Sequence, residues 1–375
     1  MPPTSSSAPQ ALVLWADESS PNLGVATLAR GSRDLLKRVN PEFEISFANY
    51  GAARPSAVPW GRPRSLIRER VQGRFGMQDY FSQFDLVWDT RSGDSFADIY
   101  GIDRHLTMGL VHEFARQAGP TVAMAPQTIG PFGSKRAQAV ARRNLKRSHF
   151  VFSRDPESTR VASELGRPAD LTTADLVFAI DPPTAEKSRD VLLNVSGLLW
   201  RENPHVSAEK YQQTIRALVP RLRAEGREVA LFAHVLDSPD SDNDVPAVRA
   251  VARELGEDLE IVVPTSLDSA REIIAGAELV VGSRMHACLN SLSVGVPAIP
   301  LAYSRKFAPL LNSVGWEPIL DLRGDETAVQ LATAVVNASA KVTAAGARDA
   351  ACAGRASLDA IVDLLAPQER EHDAS

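Results

Sequence analysis

Gly282-Ser283-Arg284-Met285-His286 sets an arginine and a histidine where an apolar strand over 278–281 turns into a helix over 285–294. A helix's first turn disfavours positive charge by about 0.3–1 kcal/mol per side chain unless an anion sits there. The unpaired backbone N–H groups of that turn attract a phosphate or carboxylate. The spacing therefore predicts an anion site at Ser283, with Arg284, Met285 and His286 around the ligand. Two residues apart, Arg284 and His286 reach one ligand only at the helix mouth. Met285, Leu289, Leu292 and Val296 recur at helical spacing as a core stripe, and His286, Asn290 and Ser293 form a polar stripe beside it. His286 then either serves the anion site or caps a neighbouring loop, and Asn290 is expected in the cleft.

Other candidate residues also follow expected strands. The loop 88–101 is long and polar, with Gly93 and Gly101 permitting tight turns and Asp94 and Asp98 exposed to a ligand, or it is a plain surface loop. In 125–132 two prolines and a glycine fix the backbone and present Gln127 and Thr128, unless the segment is purely structural. Ser153-Arg154-Asp155-Pro156 reads as a strand end and a helix start, with Asp155 as N-cap and Pro156 in the first turn. Arg154 then pairs with Asp155 or another neighbour, or it clamps an anion bidentately. Asn194, Ser196 and His234 end strands at the same expected edge, although His234 fits a buried, hydrogen-bonded histidine nearly as well.

These residues need elements to hold them. Short apolar runs at 11–16, 43–48, 84–88, 121–125 and 149–153 alternate with helical patterns at 24–39, 104–118 and 134–146. A polar, Pro-punctuated stretch at 181–189 follows, and the alternation restarts. Strands are expected at 191–195, 228–233, 259–263, 278–281 and 298–301, with helices at 207–224, 245–255, 269–275, 285–294 and 307–314. The fold class is α/β, two Rossmann-like domains facing a cleft at the strands' carboxyl ends. Residues 1–10 and 367–375 read as flexible tails, 11–183 as the N-terminal domain, and 184–366 as the C-terminal domain with one or two closing helices at 327–365.

At 375 residues, 44% hydrophobic and 23% charged, the chain is long enough for two soluble domains. Its formal charge of −5 argues against nucleic-acid binding, so an anionic substrate must meet a local Arg/His cluster. Two cysteines and no apolar leader point to the cytoplasm, and no apolar run approaches a membrane span. Dinucleotide and P-loop glycine motifs are missing. The acidic run Asp237, Asp240, Asp242, Asp244 lacks a calcium loop's glycine and terminal glutamate, and reads as a solvated loop or helix start.

Taken in order, 93–101, 126–132, 154–158, 194–197, 282–286 and Gly295-Val296-Pro297 resemble the polysaccharide pyruvyl transferase family over roughly residues 11 to 320. The resemblance implies a fold like the B-type glycosyltransferases and transfer of pyruvate from phosphoenolpyruvate onto a sugar as a ketal. It links Arg154, Arg284 and His286 to donor binding and catalysis. One departure follows the first strand, where Asn22-Leu23-Gly24 continues as Val25-Ala26 rather than Asp-Glu, leaving Asp17 and Glu18 as the nearby acids. Asp17 and Asp98 join the expected acceptor side.

The donor carries a carboxylate and a phosphate, which suit a helix N-terminus and arginines. Ketal formation needs a proton on the donor methylene, for which His286 is the candidate acid, with Asp94 the candidate base for a sugar hydroxyl. Expected partners are phosphoenolpyruvate and a sugar acceptor, free or lipid-carried, with peripheral membrane association open and no cofactor or metal. A nucleotide-sugar glycosyltransferase of the same fold is the alternative. Asn290 argues against it, standing where many such enzymes hold a ribose with Glu. A non-catalytic binder of anionic glycan is the third reading.

Overall fold

The computed structural model describes residues 8–49, 60, 63–239, 242–256 and 258–366. Residues 1–7 of the tail expected at 1–10, the tail expected at 367–375, and Asp240 of the acidic run lie outside the described residues, while Gln10 already belongs to the first strand.

Two six-stranded parallel sheets form, one from each half of the chain. The first runs β2-β1-β3-β4-β5-β6, from Gln10–Leu14 (β1), Glu44–Ala48 (β2), Leu86–Asp89 (β3), Thr121–Gln127 (β4), Phe150–Ser153 (β5) and Leu171–Thr172 (β6). The second runs β12-β11-β10-β7-β8-β9, from Arg189–Asn194 (β7), Val229–Phe232 (β8), Ile261–Val262 (β9), Ala277–Gly282 (β10), Ala298–Ala302 (β11) and Leu320–Asp321 (β12). Central strands such as β1 and β7 are near-continuous apolar runs because helices cover both sheet faces. Register then fixes the site: Gly282 stands beside Asn194, and Leu14 beside Asp89, so the chemistry-bearing residues after each strand emerge at one edge.

Three local differences have physical reasons. β4 runs two residues past its expected end through Pro126, because the register shifts between Met124 and Gln127, and an irregularity tolerates the missing N–H. β6 and β12 are two residues long, too short to leave a periodic signal. The helices Pro63–Gln72 and Met77–Phe81 follow β2, where no element was expected.

The closing region forms two helices, Ala328–Ser339 and Ala344–Leu365. The second reaches back to the first half: Arg38 pairs with Asp359, Ser357 accepts from the Ala174 N–H at 2.9 Å, and Gly354 lies under Phe178, where a Cβ would meet the ring at 2.4 Å. Arg271 ties the halves from the other side. Its buried guanidinium donates to Asn290 (2.8 Å), Ser293 (2.9 Å) and the backbone oxygen of Ile180 (3.2 Å). The polar stripe expected to face the cleft is therefore an inter-half clamp at Asn290 and Ser293.

Candidate active site

The sheet edges face each other across a cavity of about 640 Å³. One wall comes from Asn22 and Gly24, the loop after β3, Thr128 and Arg154, and the other from His234, Arg284, Met285, His286, Tyr303 and Lys306. Asn22 caps the helix Leu23–Val39 by accepting from the Gly24 N–H at 3.0 Å. A Cβ on Gly24 would come within 2.8 Å of His286 Nδ1, so glycine there lets the imidazole lie against the opposite half.

The loop after β3 rests on a buried network. Arg91 donates to Asp89 (2.8 Å) and Asn144 (3.0 Å), while His112 Nδ1 sits 2.8 Å from the same Asp89 carboxylate. Burial pushes the Asp89 carboxyl up, but Arg91 and His112 outweigh it and hold it below the usual range. This support maintains left-handed backbone at two non-glycine residues, Arg91 (φ 46°) and Ser92 (φ 51°), at the cavity rim.

Arg154 is fully buried. Asp155 caps the next helix through the Ser158 N–H at 2.7 Å, as expected, so Arg154 pairs elsewhere. Its Nη1 donates to Asp175 at 2.6 Å and its Nε to Thr128 at 3.1 Å, and Nη2 has no hydrogen-bond partner. His286 Nε2 lies 3.7 Å from the same Asp175 carboxylate, too far for a hydrogen bond, and is likewise unpartnered. Burial raises the Asp175 carboxyl, yet His286 and Arg154 prevail and hold it well below the ordinary range. Asp175 caps a short 3₁₀ turn, Leu176–Ala179. Sequence reading missed it, because the two-residue strand before it leaves no periodic signal.

Arg284 corrects an expectation. It is the N-cap of Met285–Ser293 rather than a first-turn residue, its N–H donates to Asn194 at 2.9 Å, and its guanidinium is consumed by two acids. Nη2 lies 2.7 Å from Asp244, and Nη1 2.7 Å from Asp242. Asp244 stands at a helix start, the N-cap position of Val245–Leu255, and is buried rather than solvated, accepting from the N–H groups of Gly197 (2.7 Å), His234 (3.0 Å) and Val235 (3.0 Å). A carboxylate taken out of water needs a cation, and Arg284 is it.

Other expected site residues make hydrogen bonds within the protein, while Gln127 Oε1 and Ser196 Oγ have no hydrogen-bond partner. The Ser283 hydroxyl pairs with Tyr211 at 2.8 Å. Asn194 bonds Phe232 and Arg284, the Ser196 N–H donates to the Tyr211 hydroxyl oxygen at 2.9 Å, and Gln127 donates to the Asp89 backbone oxygen at 3.1 Å. Asp98 holds the N–H groups of Gly133 and Ser134, and Asp17 folds onto Ser19. Asn290, bonded to Arg271, Thr27 and His234, supports the wall from behind. Thr128, Met285 and His234 do line the cavity. Burial, with His286 and Arg284 nearby, pushes the His234 imidazole well below its ordinary value, which keeps it neutral.

Asp94 reaches the cavity but is not free. It pairs with Lys306 from the other half and accepts from the Tyr100 hydroxyl at 2.7 Å. Burial raises its carboxyl, and Lys306 more than reverses this, leaving it at about 2. Such a carboxylate is a weak base until Lys306 moves. Lys306 and Arg104, which donates to Ser95 at 3.1 Å, are cavity cations that sequence reading missed. Among the described residues, no group of three or more His, Cys, Asp or Glu side chains could hold a metal ion.

A sequence model of the polysaccharide pyruvyl transferase family matches residues 22–305. The chain belongs to that family. The match opens at Asn22 and closes one residue before Lys306, so it contains Arg154, Asp175, Arg284 and His286, while Asp17 falls outside it. Within 266 aligned residues this family member is 24% identical to the amylovoran biosynthesis protein AmsJ of Erwinia amylovora, over 63% of this chain and 61% of that protein's length. Its fold is similar to that of the UDP-GlcNAc 2-epimerase of Neisseria meningitidis (TM-score 0.59, 10% identity, 95% of this chain and 99% of that one). It is also similar to Acinetobacter baumannii MurG (TM-score 0.51, 14% identity, 95% and 99%).

Proposed function

We propose that this pyruvyl transferase family member moves the pyruvyl group of phosphoenolpyruvate onto two hydroxyls of a sugar in a polysaccharide or glycan precursor, releasing phosphate. The observation that carries the reading is the buried trio Arg154, Asp175 and His286 at the cavity wall, where an arginine and an imidazole each keep one nitrogen unpartnered. Arg154 Nη2 suits a donor oxygen, and Arg104 and Lys306 add positive charge on the same cavity.

In the reaction, His286 gives a proton to the donor methylene, which becomes a methyl group, and the adjacent carbon turns cation-like. A sugar hydroxyl attacks that carbon and loses its proton. A second hydroxyl then forms the other carbon–oxygen bond as the bond to phosphate breaks, its proton leaving on the phosphate, and the ketal closes. Asp175 holds Arg154 and faces the imidazole, and so acts as a positioning residue. Asp94 serves as a base for a hydroxyl once the acceptor has drawn Lys306 away from it.

The nucleotide-sugar alternative loses support from Asn290, which lies behind the wall on Arg271 and presents nothing to a ribose. Incubation with phosphoenolpyruvate and a panel of sugar acceptors tests the proposal. Phosphate release with a product heavier by a pyruvate ketal is expected. Consumption of a nucleotide-sugar, with phosphoenolpyruvate untouched, overturns it.

A further inference from the structure

The helix Pro63–Gln72 is amphipathic in an unusual sense. Leu66 and Glu69 are buried on its inner side, while Arg64, Ile67, Arg68 and Val71, spaced i, i+3, i+4, i+7, form one outward face. Val71 is 82% exposed and Ile67 51%, and Phe75, just past the helix, adds a 47% exposed ring next to exposed Arg74. The turn is pinned, because Glu69 accepts from the N–H groups of Phe75 (3.0 and 3.1 Å) and Met77 (3.3 Å). Among the described residues, no acidic side chain pairs with Arg64, Arg68 or Arg74. The patch is therefore cationic in a chain whose formal charge is −5.

We infer that this face seats the protein on an anionic lipid bilayer. Ile67, Val71 and Phe75 enter the boundary between headgroups and acyl chains, and the long arginine side chains lie along it with their guanidinium groups on acidic headgroups. The charge decides the partner: an apolar centre fringed by arginines with no acidic partner among the described residues complements a negative surface. No helix among the described residues is long and apolar enough to cross a membrane, so the attachment is peripheral and reversible. The inference is independent of the donor chemistry.

Sedimentation of the full chain with vesicles tests it. Binding is expected to vesicles of phosphatidylglycerol and phosphatidylcholine in equal parts, not to phosphatidylcholine alone, and to fall with added salt. Arg64→Gln with Arg68→Gln should lower partitioning about fivefold per arginine. Ile67→Ser with Val71→Ser should lower it on the order of tenfold or more, with thermal midpoints unchanged in both variants. No binding to the mixed vesicles, or equal binding by the wild type and both variants, overturns the inference. So does a change in self-association rather than in vesicle binding, which would assign the face to a second copy of the chain.

Discussion

His286 Nε2 faces Asp175 Oδ2 at 3.7 Å, across the gap between the two halves, while Arg154 Nη1 grips the same oxygen at 2.6 Å. One buried carboxylate thus orients the proposed proton donor and the proposed donor-binding cation together, and each can be tested apart from the other.

Asp175→Asn keeps the side chain's shape and strands Arg154 as an uncompensated buried charge, which typically costs about 3–5 kcal/mol. The urea midpoint should fall accordingly. Because the folded state holds this carboxyl below its ordinary 3.8, its contribution is complete above that pH and is lost as acid protonates it in the folded protein. Wild type should therefore lose stability below pH 3.8 more steeply than Asp175→Asn. Parallel acid melts would show that the acid is not paired.

His286→Gln retains hydrogen bonding but supplies no proton. Phosphate release from phosphoenolpyruvate should drop about a hundredfold to ten-thousandfold while calorimetric donor affinity changes only a few-fold. Equal losses in both would make His286 a binding residue alone.

The two arginines should separate in their effects. Arg154→Ala removes the side chain with an unpartnered nitrogen and should weaken donor binding about tenfold to a hundredfold, from roughly 1.5–3 kcal/mol for a charge-assisted bond. Arg284→Ala leaves Asp244 and Asp242 facing each other without their cation, so its main effect should be on stability, on the order of 3 kcal/mol by chemical denaturation. A stable Arg284→Ala that has lost donor affinity would restore it as an anion clamp.

Asp94 and Lys306 should couple in a double-mutant cycle by about 0.5–3 kcal/mol, as expected for residues in contact. The Asp94 carboxyl is lowered from 3.8 to about 2, so the coupling should be complete above pH 4 and fade as pH falls toward 2. A coupling that is flat across this range would mean the pair is not formed in solution.

Much of the architecture was legible locally. The alternation of strand and helix patterns, the Asp155 cap with Pro156, and the helix opening at Met285 all appear where short-range chemistry puts them, because propensity, capping and periodicity act within a few residues. The cavity was legible in outline through Arg154, Thr128, His234 and His286. Asp17, Gln127, Asn194, Ser196, Ser283 and Asn290 were not separable from cavity residues in the sequence. A polar side chain after a parallel strand can turn to the ligand or back into the wall, and what it bonds there comes from distant chain.

The sequence by itself determined the α/β class, the two-fold alternation and the family. Only the tertiary structure decided which charge neutralises which. Arg154 meets Asp175 across 21 residues, Arg284 meets Asp244 across 40, and Lys306 meets Asp94 across 212. A buried carboxylate must find a cation because desolvation is costly, but sheet register and the packing of the two halves select the partner. That selection assigned Arg284 to holding the wall and left Arg154 and His286 each with a buried nitrogen that has no hydrogen-bond partner.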